Sequence, residues 1–323
     1  MVEKKIKLNL YQSVLRIRMI EEAVAHRYTE WEMRCPVHLC VGQEAVGAAV
    51  GMVLRKEDFV VSTHRSHGHY LGKGGSLNQM IAEFYGKATG CSSGKGGSMH
   101  LIDMDAGFMG STAIVGGTIP VGVGLGLSIA LNGTDQVSCV FLGDGSTEEG
   151  VFYEAVNFAV LKKLPVLFIC ENNLYSVYSH VSKRQPEGRK IHRMVEAFGC
   201  RVDSGDGNDA LDVYVKTNQA VEHIRTQGGP YFIEFSTYRW REHCGPNYDN
   251  TCGYRSEEEF LEFKKQDPVK KLEDNLMDKG EIDQIGINNL TAQIQKEIDA
   301  AFEFAQKSDF PDGTHTFNQL FHE

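Results

Sequence analysis

Residues 143–175 constrain this chain most. An apolar, partly β-branched run at 137–142 reads as a buried strand and stops at Gly143-Asp144-Gly145. A helix is predicted at about 150–161. Pro165 then opens a second apolar run, 166–170, which stops at Glu171-Asn172-Asn173. Strand, helix and strand in about 37 residues make one βαβ unit of a parallel sheet. Both strands deliver their carboxyl ends to the same sheet edge, where open α/β sheets bind ligands. Asp144 and Asn173 are therefore expected to be neighbours.

That pairing points to a narrow chemistry. One carboxylate and one amide oxygen are hard donors, too few to cage Ca²⁺ but suited to Mg²⁺ that also binds a phosphate-bearing cofactor. Gly143 and Gly145 let backbone approach a diphosphate, and the helix start adds oriented N–H groups. Taken singly, an Asp-Gly turn and an Asn pair are ordinary loop features. At two strand ends, with 26 residues between Gly145 and Asn172, they point to a site.

Bulk properties exclude several classes. The chain has 323 residues, a net charge of −10 and no basic block, which argues against nucleic acid and electrostatic membrane attachment. Its eight cysteines form no CxxC pair, and several fall inside apolar strands. They read as reduced core thiols of a cytoplasmic protein, and no Cys/His cluster has zinc-ligand spacing. No apolar segment follows the polar start, so no signal peptide is expected. The uncharged run 114–131 holds five glycines and Pro120. It is short for a membrane span and reads as a tightly buried helix.

A single α/β domain is expected over 1–323, with an N-terminal amphipathic helix at 8–31 and a helical C-terminal extension at 256–307. His38 and Gly42-Gln43-Glu44 precede a small-residue helix at 45–53. A strand at 59–63 ends in His64-Arg65-Ser66-His67-Gly68-His69, more titratable chemistry than a fold requires. Ser76 and Gln79 form a capping box for a helix through Phe84, and 86–110 is a glycine-rich loop without periodicity. Residues 177–189 read as a polar surface loop. Beyond it come a helix at 190–198, a strand at 200–202, a helix at 210–225 and a strand at 231–236. That last strand ends in a segment carrying Arg239 and His243. The final fifteen residues read as an extended tail.

These motifs together resemble the alpha subunit of the thiamine diphosphate-dependent first component of 2-oxoacid dehydrogenase complexes, the pyruvate and acetoin types above all. The resemblance runs from about 8 to 307. It rests on His38-Leu39-Cys40-x-Gly42-Gln43-Glu44-Ala45, Ser62-Thr63-His64-Arg65-x-His67-Gly68-His69 and Gly94-Lys95-Gly96-Gly97-Ser98-Met99-His100. Ile114-Val115-Gly116, the Gly-Asp-Gly to Asn-Asn spacing and Thr237-Tyr238-Arg239 complete it. It implies a thiamine diphosphate-binding fold, a mostly parallel sheet flanked by helices, with thiamine diphosphate and Mg²⁺ as cofactors. Asp144, the Asn173 side chain and the Tyr175 backbone oxygen would hold the metal. His64, Arg65, Gly145, Ser146 and Arg239 would contact the diphosphate, and Ile114 and Val115 would line the aminopyrimidine. His243 would sit beside the reactive carbon as proton donor or acceptor, with His38 and His67 close by. The glutamate that activates the aminopyrimidine would come from a beta subunit in an α₂β₂ assembly. The substrate would be a small 2-oxoacid or acyloin, and a lipoyl-bearing acyltransferase would accept the acyl unit.

The chain departs from the family after Arg239. Trp240-Arg241-Glu242-His243-Cys244 places a cysteine where some relatives carry a phosphorylated serine, and Ser111-Thr112-Ala113 replaces a Gly-Asn-Gly-like stretch. Two further readings follow. One is a two-subunit carboligase that passes the aldehyde unit to a carbonyl acceptor without lipoamide. The other is a non-catalytic phosphate-binding scaffold.

Overall fold

A computed structural model describes residues 2–314. The chain opens with helix α1 (Lys4–Tyr28), a small-residue helix α2 (Glu44–Val53) and strand β1 (Phe59–Ser62). Helices α3 (His67–Gly72) and α4 (Leu77–Phe84) and strand β2 (Phe108–Ser111) follow. The central unit is α5 (Ile119–Asn132), β3 (Ser138–Gly143), α6 (Gly150–Leu161) and β4 (Val166–Asn172). After it come a short hairpin, β5 (Tyr175–Ser176) with β6 (Ser179–His180), then α7 (Ile191–Glu196) and β7 (Arg201–Asp206). The sequence closes with α8 (Ala210–Gln227), β8 (Tyr231–Ser236), α9 (Glu257–Lys264), α10 (Pro268–Asp278) and α11 (Gln284–Lys307).

Six strands form one sheet in the order β2-β1-β3-β4-β8-β7, and every pairing is parallel. Helices cover both faces, as a sheet of near-continuous apolar strands requires. Leu167, Ile169 and Phe141 pack on one side against α1, α2 and α8, while Val140, Phe168 and Phe232 pack on the other against α5 and α6. The strand order reverses between β1 and β3, a topological switch point.

The expected βαβ unit is present. Gly143 stands opposite Glu171 in the β3–β4 register, so Asp144 and Asn173 leave adjacent strands side by side. Ser76 caps α4 by accepting from the Gln79 N–H, at 3.4 Å. The C-terminal segment clasps the first helix: Lys7 pairs with Glu281, in the turn between α10 and α11, at 2.6 Å, and Arg16 with Glu297 on α11 at 2.6 Å.

Several expectations need correction. The first helix begins at Lys4 and ends at Tyr28, rather than spanning 8–31. The segment read as a surface loop at 177–189 contains β6 and a 3₁₀ turn, Val181–Lys183, while its neighbour β5 pairs back onto it. The run at 114–131 starts its helix only at Ile119, and that helix is half exposed rather than buried. Its glycines explain the asymmetry. A Cβ on Gly122 would lie 2.3 Å from Val140 Cγ2, and one on Gly126 would lie 2.5 Å from Val166 Cγ2. Glycine thus seats α5 tightly on the sheet, leaving Val121 and Leu131 facing out. Of the final fifteen residues, 315–323 lie outside the described ones.

Candidate active site

A cleft of about 300 Å³ opens at the carboxyl edge of β1, β3 and β4, across the switch point. His38, His64, Arg65, Val115, Gly143–Ser146, Asn173, Tyr175 and His243 line it, together with Gln43 and Glu171.

Asp144 sits at the head of a 3₁₀ turn directly after β3 and is 2% exposed. Burial raises its carboxyl pKa, against the opposing pull of Arg184. Arg184, from the turn after β6, bridges Asp144 and Glu148. Asn173 Oδ1 accepts the Tyr175 N–H at 3.1 Å, and its Nδ2 donates to Gln43 at 3.2 Å. Leu174 and Val177 bracket Tyr175 with left-handed φ of 71° and 53°. Non-glycine residues adopt that conformation only where surroundings impose it. The Tyr175 hydroxyl donates away from the cleft to Glu259, at 2.8 Å.

This donor set fits a magnesium diphosphate. A buried carboxylate and an amide oxygen with a spare lone pair are hard donors. Gly143 lines the cleft, and a Cβ there would meet no protein atom within 4 Å. At Gly145 a Cβ would strike Ser176 Oγ at 2.6 Å, so the turn needs glycine.

Three histidines meet at the other end. Ring centroids lie 4.8 Å apart for His38–His64, 5.1 Å for His38–His243 and 5.2 Å for His64–His243. Burial, and then the Arg65 charge, pushes their pKa values down to about 2 for His38, about 4 for His64 and about 3 for His243. All three are neutral at neutral pH. Arg65 is buried, its Nη1 donating to the Leu39 carbonyl at 2.6 Å and its Nη2 to the His243 carbonyl at 3.2 Å.

Beneath the cleft, Ser62, His69 and Glu171 form a buried chain at 2.7 and 3.0 Å, with His69 stacked on Phe141. Glu171, Gln43 and Arg184 were missed from sequence. Glu171 and Gln43 sit inside stretches that the sequence singles out, whereas nothing in the sequence ties Arg184 to Asp144.

Three expected residues lie elsewhere. His67 is fully buried outside the lining, its Nδ1 bonded to Glu21 and its Nε2 to Ser98, both at 2.7 Å. Arg239 is also outside it, engaged with the Arg241 carbonyl, Asp249 at 3.4 Å and the Tyr254 hydroxyl at 2.9 Å. Ile114 is 69% exposed and does not line the cleft, whereas its neighbour Val115 does.

A parallel sheet with hard donors and glycines at its switch point defines an α/β enzyme built around a diphosphate cofactor. The chain belongs to the dehydrogenase E1 component family, whose model matches residues 12–313. Thiamine diphosphate is the cofactor that this family implies. Relatives agree over nearly the whole chain. The pyruvate dehydrogenase E1 component subunit alpha of Rickettsia bellii is 35% identical over 98% of this chain and 96% of its own length. The subunit of the same name from Porphyra purpurea is 36% identical, covering 97% and 92%. The alpha subunit of acetoin:2,6-dichlorophenolindophenol oxidoreductase from Bacillus subtilis is 33% identical, also covering 97% and 92%.

Proposed function

We propose that this chain is the alpha subunit of a thiamine diphosphate- and Mg²⁺-dependent 2-oxoacid or acetoin dehydrogenase, active only with a beta subunit. The observation that carries this reading is the meeting of Asp144 and Asn173 at neighbouring strand ends above Gly143 and Gly145. Asp144, Asn173 and the Tyr175 backbone oxygen would hold Mg²⁺. His64, Arg65, Gly145 and Ser146 would face the diphosphate, and Val115 the aminopyrimidine. When bound, the cofactor supplies the nucleophilic carbon that opens a C–C bond beside a carbonyl.

The chain's own part is charge and proton placement. Arg65 brings a guanidinium without exposing it to solvent. Its Nη2 lies 3.5 Å from His243 Nδ1, and a guanidinium only donates. Neutral His243 then carries its proton on Nε2, where it is available to a substrate carbonyl oxygen. His38 and His64, held neutral by burial and by the Arg65 charge, add no cation to the cleft and offer ring nitrogens for hydrogen bonds rather than as strong bases.

The acceptor is open to a specific alternative. Arg241, ion-paired to Glu22 and placed over the Tyr248 ring, shapes a loop unlike the family pattern. That loop favours considering transfer to a carbonyl acceptor beside transfer to lipoamide. A lipoyl-domain assay separates the two, since reductive acylation supports the dehydrogenase and carboligation without it supports the alternative.

The test is calorimetric titration of thiamine diphosphate with Mg²⁺ into this chain co-expressed with a beta-type subunit. Asp144→Ala is expected to abolish binding while the assembly stays folded. Failure of the folded wild-type assembly to bind would sink the enzyme reading and promote the scaffold one.

A further inference from the structure

The three imidazoles form a cluster that the fold alone does not require. His38, His64 and His243 come from three separate segments, and their ligand nitrogens all lie within 4.8 Å of one another. His38 is 6% exposed, yet its Nδ1 has no hydrogen-bond partner. Buried ring nitrogens are normally satisfied, so an orphan on a member of such a cluster points to a ligand. The His243 ring makes one long polar contact, 3.5 Å from Arg65 Nη2.

We propose that His38, His64 and His243 form a second divalent-cation site, selective for zinc-like transition metals and separate from the magnesium donors. Neutral imidazole is a borderline nitrogen donor that prefers Zn²⁺, Co²⁺, Ni²⁺ or Cu²⁺, whereas Mg²⁺ takes oxygen. Three such ligands would leave the fourth tetrahedral position to water, as in open zinc sites. Metal–nitrogen bonds of about 2.1 Å place tetrahedral ligands roughly 3.4 Å apart, so the cluster needs to contract by no more than about 1.4 Å. Side-chain rotation supplies that, and little is lost, because His38 Nδ1 breaks no bond and His243 gives up only its long contact. The adjacent Arg65 cation opposes a dication and limits affinity. This inference stands independently of the cofactor assignment, because it uses only the imidazoles.

The experiment titrates Co²⁺ into the purified full-length chain, freed of Mg²⁺, and follows visible absorption. One Co²⁺ per chain with an intense four-coordinate d–d envelope is expected, displaced by Zn²⁺ but not by excess Mg²⁺. His64→Gln and His243→Gln should each weaken binding at least ~10-fold, with folding checked by circular dichroism, and Asp144→Ala should leave it intact. Absence of the envelope at saturating Co²⁺ would overturn the proposal. Unchanged binding in both histidine variants would do the same. So would a thiolate charge-transfer band removed by Cys244→Ser, since Cys244 is exposed beside His243.

Discussion

Replacing His67 by leucine is expected to cost stability before anything else. Its ring joins Glu21 on α1 to Ser98 in the glycine-rich loop, and all three side chains are buried. Glu21 also accepts the Cys40 N–H, at 2.5 Å, so losing His67 strands part of a buried acidic group. A loss of about 3–5 kcal/mol is expected in urea unfolding, with His67→Gln losing less because it retains an N–H. Equal stability in His67→Leu would refute this structural role. The cleft histidines give a pH signature instead. Unfolded, they protonate near 6.5; folded, burial holds them neutral down to about 4, 3 and 2. Between those limits the unfolded chain binds more protons, so stability falls as pH drops below about 6.5. The melting temperature of wild type should decline more steeply from pH 6.5 to 4.5 than that of His64→Gln. Parallel curves would count against the neutral cluster. Sequence placed His38, His64, His67 and His243 near one another, but only packing separates the three that face the cleft from the one that ties loop to helix.

At the scale of elements, the glycine-rich loop at 86–110 owes its shape to one carboxylate. Glu83, near the end of α4, is buried and accepts the N–H groups of Ser92, Gly94, Gly96 and Gly97 at 2.7–2.9 Å. Gly94 and Gly97 sit at φ of 76° and 63°, which lets successive N–H groups converge on one point. Glu83→Ala should cost about 2–3 kcal/mol and accelerate amide exchange selectively over 92–97. Unaltered exchange there would show that the loop holds itself. Sequence reading found the loop but not its organiser, since Glu83 looks like any helical glutamate. Regular elements were more legible: the predicted helix at 150–161 and strand at 231–236 match α6 and β8. Those segments carry periodicity or β-branching that fixes their type. The run at 114–131 misled because uniform apolarity does not reveal which face meets the sheet. Only the contacts of Gly122 and Gly126 decide that.

At the scale of the whole molecule, two neighbouring helices carry exposed apolar side chains that no described residue covers. Val121 and Leu131 on α5 and Leu161 on α6 are exposed, the latter two by 78% and 71%, and α5 packs beside α6. A chain carrying net charge −10 has polar residues enough to avoid such a face, so its persistence suits an obligate partner. Ile114 and Val115 are exposed as well, and Val115 lines the cleft, so a partner seated there would add a wall to it. If a beta-type subunit supplies that wall, cofactor affinity and assembly must fall together. Leu161→Lys combined with Val121→Lys should weaken co-purification with the beta-type subunit by at least ~30-fold, about 2 kcal/mol. The chain alone should keep its stability to within about 0.5 kcal/mol, because both side chains are solvent-facing in it. Thiamine diphosphate titrated into the mixture should then bind no better than to the isolated alpha chain. Normal assembly of the double variant would move the interface elsewhere. Normal assembly without cofactor binding would instead show that these side chains shape the cleft directly.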